Sequence, residues 1–138
     1  VRFLDTNVIL RYLVRDDEAK AGECYGLFQR VDEGQEEITT CEAVIAESVY
    51  VLSGRGTYGL PRSAVRELLR PILIMPGLKL ARKNVYLLAL DLFVTYPRLD
   101  YEDALIVAHM QDIHIEEVIS YDEDFDGVQG VIRTEPAA

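Results

Sequence analysis

The sequence predicts an α/β protein built on a mostly parallel sheet, and three observations point to it. Short apolar runs alternate with segments of helical periodicity, the pattern of repeated strand–helix units. Connections of about two to five residues join them, which implies helices on both faces of the sheet. The chain has 138 residues, 49% of them hydrophobic, with no internal repeat, low-complexity tract or linker, so one domain over residues 1–138 is expected.

Val1–Asp5 reads as a short buried strand ending in a carboxylate, and Asn7–Val14 as the helix after it. Asp17–Asp32 is amphipathic and stops at Gly34. Glu37–Thr40 is a short strand, with Thr40 as the expected N-cap of a helix over Cys41–Leu52. Pro61 should open a helix over Arg62–Arg70, since proline is tolerated in a first turn. The stretch Leu73–Leu80 fits either strand or loop. Arg82–Tyr96 is a helix closed by Pro97, and Tyr101–Asp112 is another. Glu117–Ser120 and Val131–Thr134 are the last strands, with an acidic turn, Tyr121–Asp126, between them. The fold expected is therefore a central, mostly parallel sheet of about four or five strands flanked by helices.

Charge narrows the function. Lys and Arg number 14 against 24 Asp and Glu, a net −10, which excludes gripping nucleic acid by bulk positive charge. It leaves open an enzyme whose acids hold metal ions. No apolar run approaches the ~18–20 residues that span a bilayer, and Asp5 interrupts any signal-peptide core. Cys24 and Cys41 lack zinc-site spacing and read as buried or half-buried free thiols, which suits a reducing, cytoplasmic setting.

Ligands in parallel α/β sheets sit beyond the carboxyl ends of the strands. Asp5 and Asp122 both fall there. Each acid also has a purely structural reading. Asp5 could cap the next helix, and Glu47 lies at the edge of an apolar helical stripe, where a solvated flank is common. Asp103 could share a capping arrangement with Asp100, although the helix around it is apolar on every side. Asp122 and Asp124 could belong to a solvated turn. Taken together the acids are harder to explain that way, because strand ends and helix starts converge on one rim of such a sheet. Like charges ~4 Å apart repel by roughly 4 kcal/mol at an effective dielectric near 20. Beyond Lys83 there is no lysine, and Arg98 and Arg133 are the only late arginines. A divalent metal is the natural counter-ion, and oxygen ligands favour Mg²⁺ or Mn²⁺ over zinc.

The run Phe3-Leu4-Asp5-Thr6-Asn7-Val8-Ile9-Leu10, the helical glutamate of Ala43–Glu47, Asp103–Ala108 (DALIVA) and Ile119–Phe125 (ISYDEDF) follow in a familiar order. The chain resembles the PIN-domain family and, within it, the VapC-type ribonuclease toxins of type II toxin–antitoxin systems. The resemblance implies Asp5, Glu47 and Asp103 as metal ligands and Asp122 as a fourth catalytic acid. Thr6, Asn7 and Ser120 take the accompanying polar positions, and Asp124 matches a frequent extra acid. It also implies an endoribonuclease that hydrolyses RNA phosphodiesters with Mg²⁺ or Mn²⁺, a homodimer, and a small VapB-like antitoxin partner.

Other expectations are less specific. His109 reads as a core or interface residue and His114 as surface. Arg11, Arg15, Arg55, Arg62, Arg66 and Arg70 are candidates for RNA phosphate or a partner, with solvated helix faces as the other reading. Tyr12, Tyr50, Tyr58 and Tyr86 could stack on bases or pack in the core. The rival functions are a PIN-fold RNA-processing nuclease without an antitoxin, a catalytically silent PIN binding module, and a haloacid-dehalogenase-like phosphatase. The last requires a second aspartate where Asn7 stands.

Overall fold

The computed structural model describes residues 1–15 and 17–137, which fall into two compact units, Val1–Lys83 and Asn84–Ala138. In unit 1, β1 (Arg2–Phe3) and β2 (Ile38–Thr39) pair in parallel, Arg2 opposite Ile38 and Phe3 opposite Thr39. The ladder continues where the Leu4 amide donates to the Thr39 carbonyl at 2.8 Å. On its other side Ile38 bridges Leu78 in parallel, which settles Leu78 as an extended partner of the sheet. That approach requires Gly77, because a Cβ there would lie 2.2 Å from the Glu36 carbonyl oxygen and 2.6 Å from that of Val31.

The helices of unit 1 are α1 (Thr6–Val14), α2 (Glu18–Asp32), α3 (Glu42–Ser53) and α4 (Arg62–Leu73). Asp17 caps α2 by accepting from the Lys20 amide at 3.1 Å, and Arg15 leaves α1 in the left-handed region. Tyr12 packs on Phe28 with ring centroids 4.5 Å apart, joining α1 to α2. The core is built from Leu4, Ile9, Phe28, Val31, Ile38, Val49, Leu52, Val65 and Leu78.

Unit 2 contains α5, whose range Lys83–Thr95 opens on the last residue of unit 1, then α6 (Tyr101–Asp112), β3 (Glu117–Ile119) and β4 (Ile132–Thr134). β3 and β4 are parallel, with Glu117, Val118 and Ile119 opposite Ile132, Arg133 and Thr134. A 3-10 turn over Glu123–Phe125 follows β3. Val85, Ala89, Leu90, Leu99, Ala104, Val107 and Phe125 form the core, and Tyr101 meets the Phe93 ring edge-on at 6.0 Å.

The α/β class and the parallel pairing match the sequence reading. Several details correct it. Among the described residues the strands form two parallel pairs, β1 with β2 and β3 with β4, against the four or five strands of one sheet expected. Val1, Arg2 and Phe3 are exposed in a strand expected to be buried, since β1 is paired on one edge within unit 1 and only Leu4 turns into its core. Thr40 does not cap α3; the cap position is Cys41, and the Thr40 hydroxyl donates to the Leu4 carbonyl at 2.9 Å. Cys24 is buried but Cys41 is exposed, because its place at the start of α3 turns it outward. α4 runs three residues past Arg70, through Pro71. Burial of Ile72 and Leu73, about 1.5–3 kcal/mol each, outweighs the ~3 kcal/mol cost of that proline. α6 is not buried all round, for Ile106 is 43% exposed.

Candidate active site

In unit 1, β1 delivers the chain to Asp5, which stands at the N-cap position of α1 with an extended backbone (φ −100°, ψ 159°). Its side chain makes no capping hydrogen bond, so the capping reading does not hold and the exposed carboxylate is left for other work. Thr6 is buried at the first turn of α1, where its hydroxyl donates to Glu47 Oε2 at 2.9 Å. Glu47 is exposed on α3, so one neutral donor orients an otherwise solvated carboxylate beside the start of α1. The Thr40 hydroxyl on the Leu4 carbonyl secures the chain immediately before Asp5. Asn7 is exposed one residue beyond Thr6.

In unit 2, Asp100 caps α6 by accepting from the Asp103 amide at 2.8 Å, as its place before the helix suggested. Asp103 is half-buried, and its carboxyl is pushed up to about 6. Burial is the leading cause, followed by the negative charges of Asp100 and then Asp122. Asp122, just past β3, caps the 3-10 turn by accepting from the Asp124 amide at 2.9 Å. Its own amide donates to Ser120 Oγ at 2.9 Å, so the serine holds the backbone that carries the acid.

Asp124 differs from the others because it forms an ion pair with Arg98 at 3.2 Å. Arg98 also donates to the Glu123 carbonyl at 3.2 Å. Arg133 binds Asp126 at 2.9 Å and donates to the Ser120 carbonyl at 3.1 Å. Sequence reasoning gave the two late arginines no task. The signal was present as two isolated cations flanking an acidic run, and the structure uses both to brace that run.

Among the described residues, no three Asp, Glu, His or Cys side chains are grouped as a metal ion would hold them. The donor set still suits a hard divalent cation, since it consists of carboxylates and hydroxyls, and one carboxylate, Asp103, lies among acids that raise its proton affinity. Tyr12 and Tyr86 are packing residues, whereas Tyr50 and Tyr58 are exposed. His109 is half-buried in α6 and His114 is exposed.

Parallel strands that alternate with helices and deliver carboxylates just past their ends define an α/β protein with acids where such folds place their ligand sites. The PIN domain family model matches residues 2–131, running across both units. The chain belongs to the PIN domain family, whose members are generally nucleases. No curated protein sequence matches it. No helix among the described residues is long and apolar enough to cross a membrane.

Proposed function

We propose that the chain folds as one PIN domain and acts as a metal-dependent endoribonuclease, the toxin of a toxin–antitoxin pair. The observation that carries the nuclease reading is the Thr6 hydroxyl on the Glu47 carboxylate, which ties the residue after Asp5 to the second acid of the set. In this reading Asp5, Glu47, Asp103 and Asp122 together hold Mg²⁺ or Mn²⁺. The ion supplies charge stabilisation of the phosphate and a bound water of lowered pKa. Thr6 keeps Glu47 in one orientation, and Ser120 fixes the backbone of Asp122. One of these carboxylates would also receive the proton of the attacking water.

The toxin role, the homodimer and the small antitoxin rest on the resemblance of the four motifs to VapC-type proteins. A gene for a small DNA-binding partner beside this one is the expected context. Cleavage of a mixed single-stranded RNA panel in Mg²⁺, Mn²⁺ and EDTA, with Asp5→Asn alongside, tests the activity. Metal-dependent cutting lost in the variant supports the reading; with no cutting under any metal, a metal-induced rise in melting temperature absent in Asp5→Asn points to a narrow structured substrate, and no metal response to a binding module.

A further inference from the structure

The exposed face of α3 carries an aromatic ring beside Glu47. Residues 47 and 50 are neighbours on one side of the helix, about 4.5 Å apart along its axis. Both are exposed, while Val44, Ile45, Ser48, Val49 and Leu52 fill the opposite, buried side. Helical side chains lean toward the N-terminus, so the Tyr50 ring is carried back over the turn that holds Glu47. Tyr50 is 74% exposed, which leaves a flat face open to solvent next to a candidate metal ligand.

The loop after α3 adds a cation. The Gly54 amide donates to the Tyr50 carbonyl at 2.9 Å, and Arg55 follows directly. The loop is fastened back onto the helix. The Thr57 hydroxyl donates to the Gly54 carbonyl at 3.0 Å and also meets that of Val51. The Gly59 amide returns to the Gly54 carbonyl at 2.8 Å, and the Leu60 amide reaches that of Leu52 at 2.9 Å. Residue 54 must be glycine, because a Cβ there would lie 2.8 Å from Thr57 Oγ1 and 2.9 Å from the Tyr50 carbonyl oxygen. Arg55 is therefore held close to the helix end that carries Tyr50. It is exposed, and no carboxylate among the described residues pairs with it. In a chain of net charge −10, such a cation gives a polyanion a local point of attraction.

We propose that Tyr50 and Arg55 form a subsite for the nucleotide flanking the scissile bond, the ring stacking on its base and the guanidinium meeting the adjoining phosphate. The proposal rests on the ribonuclease reading and adds where the strand runs, from Glu47 past Tyr50 toward Arg55. The exposed positions of α3 are Glu42, Ala43, Glu47 and Tyr50. This face thus offers one ring among polar side chains, and not the apolar patch that a protein partner would cover. Every base has a π face, so the subsite positions the strand without reading its sequence.

The test measures binding of a labelled single-stranded RNA, and of an abasic strand of equal length, in Ca²⁺ across a salt series by fluorescence anisotropy. Tyr50→Ala should weaken RNA binding about ten-fold, the size of one base–aromatic stack, and leave the slope of log affinity against log salt unchanged. Tyr50→Phe should restore the affinity. On the abasic strand Tyr50→Ala should bind as wild type does, a result that a merely structural role would not give. Arg55→Ala should lower the salt slope by about 0.7, the loss of one phosphate contact to a single strand. The control Tyr25→Ala, an exposed tyrosine on α2, should bind as wild type. Unchanged RNA affinity in Tyr50→Ala, an equal loss on the abasic strand, an equal loss in Tyr25→Ala, or no binding by wild type overturns the subsite. A dimer in sedimentation that Tyr50→Ala dissolves, with RNA affinity unaltered, overturns it in favour of a second copy on this face. RNA that binds in the Tyr50-dependent manner but is never cut would defeat the ribonuclease reading alone.

Discussion

In unit 1 the acidic positions are organised by neutral hydroxyls, Thr6 on Glu47 and Thr40 on the backbone before Asp5. In unit 2 they are organised by one another: Asp100 holds the Asp103 amide, Asp122 holds the Asp124 amide, and Asp103 sits among like charges. The first arrangement orients a carboxylate at little electrostatic cost. The second stores repulsion, relieved either by a proton on Asp103 or by a cation. Unit 2 even has cations nearby, but Arg98 and Arg133 are spent on Asp124 and Asp126. A site built this way keeps its strongest demand for positive charge at Asp103.

Asp103→Asn probes that demand and should have the largest effect. Nuclease activity should fall by more than about 100-fold, since losing even an outer-shell partner of a metal site costs about 10–100-fold. Near-normal turnover would remove Asp103 from the site. Thr6→Val tests the hydroxyl arrangement of unit 1 and should lower kcat about ten-fold, with Thr6→Ser retaining most activity. Glu47 is exposed and regains water when the hydroxyl is lost, so stability should change by less than about 1 kcal/mol. An unaltered kcat in Thr6→Val would mean that the bond does not orient Glu47 for catalysis.

The stored repulsion also predicts a pH dependence. The folded carboxyl of Asp103 titrates at about 6, above its ordinary value of 3.8, so the native state binds this proton more tightly than the unfolded chain. The resulting stabilisation is full below pH 3.8 and is lost as pH rises through about 6. In EDTA, Asp103→Asn should therefore melt above wild type at pH 7, by roughly 1–3 °C after allowing for solvent screening. The gap should close toward pH 4, and a gap that is flat across this range would contradict the repulsion. Arg98→Ala should do least, because a largely exposed ion pair contributes about 0–1 kcal/mol. A larger loss on denaturant titration would show that Arg98 supports more than the acidic turn.

What the sequence made legible follows the range of the forces involved. α6 was read with its observed bounds, Tyr101–Asp112, because Asp100 caps it locally and its apolar pattern is dense. The four acids could be singled out from their places at strand ends and in helices. Thr40 was misread as a cap because its hydroxyl finds a partner 36 residues away in sequence, at Leu4. Thr6 could be named as an accompanying polar residue, but its bond to Glu47 spans 41 positions and has no local signal. The exposure of Phe3 and Ile106 was hidden for the same reason, since hydrophobicity alone does not say which face meets a neighbour.

The central proposal is that Asp5, Glu47, Asp103 and Asp122 are ligands of a divalent metal. Calorimetric titration of Mn²⁺ into wild type, Asp5→Asn and Asp103→Asn tests it most directly. The account predicts that either substitution weakens Mn²⁺ binding by about ten-fold or more. Wild-type Mn²⁺ affinity retained in either variant would contradict it.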